Sequence, residues 1–235
     1  MARRKKAKAR WRRWLRYLAL AVVGFVSASL LLVLPLRWVS PPTTAFMLQD
    51  ASGREPLLHE WVDWPVLGTR MPLAVVASED QRFADHFGFD LKAIQQSIDE
   101  QDARGYLRGA STVTQQTVKN LYLWPGRSLV RKGLEAWLTI LAEACLSKQR
   151  ILEIYLNVAE FGPGIYGVGA ASRFYFGTSP DRLTDAQAAL LAAVLPNPRR
   201  LRVDAPSDYV RQRQYWVMAQ MQRLRREGWI NRVTR

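Results

Sequence analysis

The sequence has 235 residues, 49% of them apolar, with 34 Lys and Arg against 20 Asp and Glu for a net charge of +14. That length allows one domain of ordinary size plus an appendage. The single cysteine, Cys145, excludes an intramolecular disulfide, and two histidines, His59 and His86, with no Cys/His cluster exclude a zinc site of familiar spacing.

The positive charge is unevenly spread. Residues 1–16 hold nine Lys and Arg and no acid, while residues 38–198 hold 14 basic and 17 acidic residues. The remaining excess lies in the arginine-rich C-terminal segment. A nucleic-acid-binding domain carries its charge on the folded body, so no nucleic-acid partner is expected.

Tyr17–Leu36 is a run of 20 residues without a charge, bounded by Arg16 and Arg37. At helical rise such a run covers about 30 Å, the hydrocarbon thickness of a bilayer. Trp11, Trp14 and Tyr17 flank one edge and Trp38 the other, as an aromatic belt does. The reading is a basic cytoplasmic tail at 1–16, a membrane anchor at 17–37, a linker and lead-in at 38–69, and a domain at 70–235 on the far side of the membrane. A cleaved signal peptide fits less well. Its apolar region usually spans about 7–15 residues, and Pro35–Pro42 offers no convincing cleavage site.

Val39–Thr44, with Pro41 and Pro42, reads as extended chain. Phe46–Thr69 contains Trp61 and Trp64 but no clean period. Next comes the apolar helical run Pro72–Ala77, with Pro72 suited to the first helical position. It leads into Ser78-Glu-Asp-Gln-Arg-Phe-Ala-Asp-His-Phe-Gly-Phe-Asp90. Glu79 and Asp80 leave the apolar run side by side. A carboxylate stripped of part of its hydration is how a protein prepares a general base. The plain alternative is a pair of solvated charges matched by Arg82 or Lys92.

Leu91, Ile94 and Ile98 recur at helical spacing after Asp90, a capping residue type. Gln101–Gly109 reads as a loop. Thr112-Val-Thr-Gln115 fits a capping box opening a helix through Leu121. A long helix is expected from about Ser128 to Leu146, and another follows Ser147. Thr184-Asp-Ala-Gln187 is a second capping box, before an alanine/leucine helix that stops at Pro196. Val210, Val217, Met221 and Leu224 make one apolar stripe with arginines on the other faces. No alternating strand pattern appears, so the fold class is mostly α.

Three stretches carry chemistry. Gly162-Pro-Gly-Ile-Tyr-Gly167 matches G-x-G-x-x-G, but a helix precedes it, so it is not a dinucleotide fingerprint. Its glycines serve a tight turn or a close approach. Arg108–Asn120 is a small-residue loop opening a helix that bears Ser111, Gln115, Gln116, Lys119 and Asn120, a source of donors for an anion or simply a capped polar helix. In Arg127–Glu135, Arg131 and Lys132 stand at i,i+4 and i,i+3 to Glu135, spacings of surface ion pairs. With Lys119 and Arg127 they also make a cationic cluster suited to a pyrophosphate. A glycoside hydrolase needs two carboxylates. A transferase using a sugar pyrophosphate needs one base, because cations stabilise the leaving group.

The chain resembles the peptidoglycan glycosyltransferases of family 51, found alone or as the first domain of class A penicillin-binding proteins. Five ordered blocks carry the resemblance: Glu79–Asp90; Gly109-Ala-Ser-Thr-Val-Thr-Gln-Gln-Thr-Val-Lys-Asn120; Arg131-Lys-Gly-Leu-Glu135; Arg150-Ile-Leu-Glu-Ile-Tyr-Leu-Asn157 with Phe161-Gly; and Ala189-Leu-Leu-Ala-Ala-Val-Leu-Pro-Asn-Pro198. Ala110 stands where the family often has glycine. No Ser-x-x-Lys motif follows, so the form without a transpeptidase domain is expected.

The resemblance implies a lysozyme-like α fold with head and jaw lobes. It implies polymerisation of lipid II with inversion and release of undecaprenyl pyrophosphate. Glu79 would be the general base and Glu135 a second carboxylate at the donor pyrophosphate. Lys119, Arg127 and Lys132 would contact that pyrophosphate, Ser111, Gln115 and Gln116 would line the cleft, and Asp80 and Arg131 would orient their neighbours. No cofactor is implied, although a divalent cation such as Mg or Mn could assist at the pyrophosphate. Expected partners are lipid II, the growing strand, the inner membrane and other proteins of wall synthesis and division. A lytic enzyme using Glu79 as an acid and a non-enzymatic scaffold are the rival readings.

Overall fold

The computed structural model describes residues 2–104, 111–126 and 128–234. Helix α1 runs Ala2–Val33 and passes into a 3-10 turn at Leu34–Arg37. Across the two, Arg10–Arg37 is long and apolar enough to cross a membrane. The helix continues back through the basic residues, so the tail and the span form one element. The far end of α1 is tied to the domain. Val33 and Leu36 are buried. Trp137 Nε1 donates to Ser29 Oγ (3.1 Å), the Tyr122 hydroxyl to the Leu32 carbonyl (2.7 Å), and Arg150 Nε to the Leu36 carbonyl (2.8 Å).

The lead-in holds three short elements: α2 (Ala45–Leu48), β1 (Leu58–His59) and α3 (Trp64–Leu67). None is long enough to show a period, which is why the sequence showed none. Long-range bonds hold them instead. Asn157 Oδ1 accepts from the Val62 amide (2.8 Å), and its Nδ2 donates to the Val62 carbonyl (2.8 Å) and the Glu153 carbonyl (2.9 Å). The Trp64 amide donates to Glu153 Oε1 (2.9 Å). Arg150, Glu153 and Asn157 lie three and four residues apart, on one helix face. The lead-in is therefore built into the domain.

Helix α4 (Arg70–Glu79) is buried from Met71 through Ala77. It starts two residues before Pro72, which still falls in the first turn, where the amides lack helical partners anyway. Helix α5 (Leu91–Arg104) is capped by Asp90, whose Oδ1 accepts from the Ala93 amide (3.0 Å). It extends into the stretch read as a loop. Gly109 and Ala110 lie outside the described residues. Helix α6 (Val113–Tyr122) opens with the expected capping box. Helices α7 (Leu129–Cys145) and α8 (Lys148–Val158) are capped by Ser128 and Ser147.

Strands β2 (Glu160–Gly162) and β3 (Ile165–Tyr166) follow. β3 pairs antiparallel with β2 and parallel with β1, so the sheet order is β1-β3-β2. Strands of two or three residues cannot display alternation, and the sequence reading missed them. The G-x-G-x-x-G segment, Gly162–Gly167, holds the end of β2, the turn at Pro163 and Gly164, and β3 itself. Gly167 has φ of +80°, and a Cβ there would lie 2.7 Å from the Asn157 carbonyl oxygen.

The chain then forms α9 (Val168–Phe176), α10 (Asp185–Val194), α11 (Asp208–Arg226) and α12 (Trp229–Val233). Helix α10 carries the second capping box and is buried from Ala188 through Val194. Its alanines let α4 and α11 approach closely. All four residues of the predicted α11 stripe are buried. Helix α4 packs chiefly on α10 and α11, while α6 packs on α7 and α8 and α1 packs on α7. The mostly α expectation holds, and the end of α4 stands between these two groups of helices.

Replacing Asn157 with Ala leaves the Val62 amide and carbonyl unpaired inside the domain. The expected cost is about 2–4 kcal/mol, read as a lower midpoint in denaturant unfolding.

Candidate active site

Glu79 is the last residue of α4, and its side chain is 11% exposed. Its two oxygens face different helices. Oε2 accepts from Gln116 Nε2 on α6 (3.0 Å). Oε1 lies 3.4 Å from Arg213 Nη2 on α11 and accepts from the Ser78 hydroxyl (3.0 Å). The Gln116 amide is oriented from behind, where its Oε1 accepts from the Tyr155 hydroxyl (3.1 Å). Burial, and then the charges of Glu79 and Asp80, push the Tyr155 phenol far above its ordinary range, so it stays a donor.

Asp80 has a different task. It is buried, and its Oδ2 accepts from the Val113 amide, the first of α6 (3.0 Å). Its Oδ1 lies 2.8 Å from His86 Nε2. Arg82 pairs with Asp90 (2.7 Å), not with Glu79 or Asp80. Asp80, His86 and Asp90 bring ligand-type atoms within 4.8 Å of one another. They do not fit a divalent cation, because a guanidinium already neutralises Asp90 and two donors already occupy Asp80. The trio fastens the end of α4 to α5 and α6.

The cations gather on the α6–α7 side. Glu135 is 3% exposed and accepts from Arg131 Nη1 (2.8 Å) and Lys132 Nζ (2.7 Å). Lys119 lies over the Phe46 ring, 5.4 Å from its centroid. Burial pushes the Lys119 ammonium down from the ordinary lysine range, and the Glu135 charge opposes that shift. Lys119 also feels the charge of Glu79, which links the cationic cluster to the carboxylate at the end of α4.

A cleft of about 820 Å³ has Glu79, Asp80, Ser111, Gln116 and Lys119 in its lining. Arg131, Lys132 and Glu135 are not part of that lining, so the second carboxylate stands apart from the first. Gln115 is a correction to the expected cleft wall. It is buried, and its side chain completes the α6 capping box by accepting from the Thr112 amide (3.0 Å). Arg127 lies outside the described residues. Sequence reasoning missed Arg213, treating the α11 arginines as a solvent face. The signal was present, since Arg213 lies three residues after Val210 and four before Val217, on the buried stripe.

A family model described as Transglycosylase matches residues 48–222. Its start agrees with the lead-in being part of the domain. The chain is 47% identical over 231 residues to the biosynthetic peptidoglycan transglycosylase of Pseudomonas aeruginosa, covering 96% of this chain and 98% of that protein. It is 49% identical over 216 residues to the protein of that name from Pseudomonas putida (89% and 92% covered). It is 57% identical over 188 residues to that of a Marinomonas species (80% and 82% covered).

Lys119 is expected to lose its proton at a lower pH than a solvated lysine. Replacing Glu135 with Gln should lower that pH further, because the charge opposing the effect of burial is removed. Amine-selective labelling of Lys119 across a pH series, read by mass spectrometry, checks both shifts; labelling at the pH of solvated lysines refutes them.

Proposed function

The chain belongs to the transglycosylase family, and on that premise we propose that it polymerises lipid II into the glycan strands of peptidoglycan. The 4-hydroxyl of an acceptor N-acetylglucosamine gives its proton to Glu79 as its oxygen attacks C1 of the N-acetylmuramic acid at the reducing end of the growing strand. The C1–oxygen bond to undecaprenyl pyrophosphate breaks, and its electrons leave with the pyrophosphate. Attack opposite the leaving group inverts the anomeric centre to a β-1,4 linkage.

The observation that carries this reading is the placement of Glu79. It is held between Gln116 and Arg213 in a cleft that also contains Lys119. The neighbouring Arg131 and Lys132 outnumber Glu135, so with Lys119 the cluster has a net positive charge for the departing pyrophosphate. Such cations take the place of a general acid. Glu135 serves the donor pyrophosphate by fixing Arg131 and Lys132. No cofactor enters this scheme, and a divalent cation would act only as a counter-ion on the pyrophosphate itself.

The length and composition of α1 support a membrane anchor. Nine Lys and Arg in residues 1–16 favour a cytoplasmic N-terminus, which puts the cleft on the outer side of the inner membrane. Leu129 and Val130 stand exposed at the start of α7, the helix that packs on α1. That is where an apolar surface would meet lipid and admit a polyprenyl chain.

Glu79→Gln should lower the rate of lipid II polymerisation by about 10²–10⁴-fold while the thermal midpoint stays unchanged. Unaltered turnover refutes Glu79 as the base. Lys119→Ala should raise KM for lipid II roughly tenfold, measured in the same polymerisation assay.

A further inference from the structure

The wall of the cleft formed by α11 has no part in leaving-group chemistry, yet it carries two large aromatic side chains. Tyr209 and Trp216 both line the cleft. Tyr209 is 57% exposed and Trp216 is 38% exposed. They are seven residues apart, two turns on one helix face. Between them lies Arg213, whose guanidinium reaches Glu79 Oε1 and stands 6.0 Å from the Trp216 ring centroid. Glu79 therefore divides the cleft. One turn beyond Gln116 on the α6 side is the cation Lys119, and one turn to either side of Arg213 on the α11 side is an aromatic ring.

This division matches the two halves of the reaction. In an inverting displacement the nucleophile and the leaving group occupy opposite faces of the anomeric carbon. The leaving pyrophosphate is drawn to Lys119 and its neighbours, so the incoming sugar enters from the α11 side. A pyranose has an apolar C–H face and a rim of hydroxyls. An aromatic ring with one exposed face suits the first, since both surfaces leave water on contact.

We propose that Tyr209 and Trp216 form the platform on which the acceptor N-acetylglucosamine lies, its C–H face on the rings and its 4-hydroxyl turned toward Glu79. The inference rests on the glycan-polymerising function and assigns its acceptor subsite to the α11 wall. Arg213 positions both partners, holding the Glu79 carboxylate and flanking the Trp216 ring.

The test uses the full chain in detergent with labelled lipid II. Trp216→Ala should raise KM roughly tenfold with a smaller change in kcat, and Trp216→Phe should recover most of the loss. Tyr209→Ala, at a more exposed position, should raise KM in the same direction. Saturation-transfer NMR with the carrier-free disaccharide GlcNAc-β-1,4-MurNAc should show transfer to its C–H protons with the unsubstituted protein and a weaker signal with Trp216→Ala. If the unsubstituted protein polymerises lipid II and folded Trp216→Ala and Tyr209→Ala keep its KM, the aromatic subsite is refuted and the function stands. If the unsubstituted protein makes no polymer, the function falls, and the subsite with it.

Discussion

Everything in the cleft depends on where α4 stops, and the carboxylate of Asp80 fixes that point. Asp80 ends α4 and at the same time accepts the first amide of α6. A negative group at a helix N-terminus is favoured both by the free amide and by the aligned peptide dipoles. One side chain thus joins the helix that supplies Glu79 to the helix that supplies Gln116 and Lys119. Glu79 is adjacent in sequence and takes its position from a bond its neighbour makes. The two adjacent acids are therefore not interchangeable: Asp80 is buried in construction, and Glu79 is left facing the cleft.

Charge is arranged along the same line. Burial weakens the hold of Lys119 on its proton, and the charge of Glu135 opposes that loss without cancelling it. Glu135 in turn is covered by Arg131 and Lys132. The second carboxylate is thus paired with two cations on its own helix.

Features made by neighbouring residues were legible in the sequence. Both capping boxes, the serine caps of α7 and α8, the α11 stripe and the Glu135 ion pairs are set by spacings of three or four residues. Features made at long range were not. The lead-in has no period because its order comes from Asn157 and Glu153 nearly a hundred residues away. The capping box marked Gln115 as the residue that closes its own helix, but only the fold shows that its neighbour Gln116 reaches Glu79. Arg213 was hidden among arginines that do face solvent, such as Arg226. Its register on α11 distinguishes it, and composition does not.

The α8 face that anchors the lead-in has a mechanical consequence. Arg150 bonds the end of the apolar helix at Leu36, Asn157 and Glu153 bond the lead-in, and Tyr155 on the same helix holds Gln116 against Glu79. Tyr122, at the end of α6, bonds Leu32 directly. A helix of this apolar length sets its own depth in a bilayer, and the side-chain links carry that depth to the carboxylate at the end of α4. The height of Glu79 above the lipid surface is thereby a built-in dimension of the molecule, matched to a substrate whose sugar stands at a constant height on its own lipid stem.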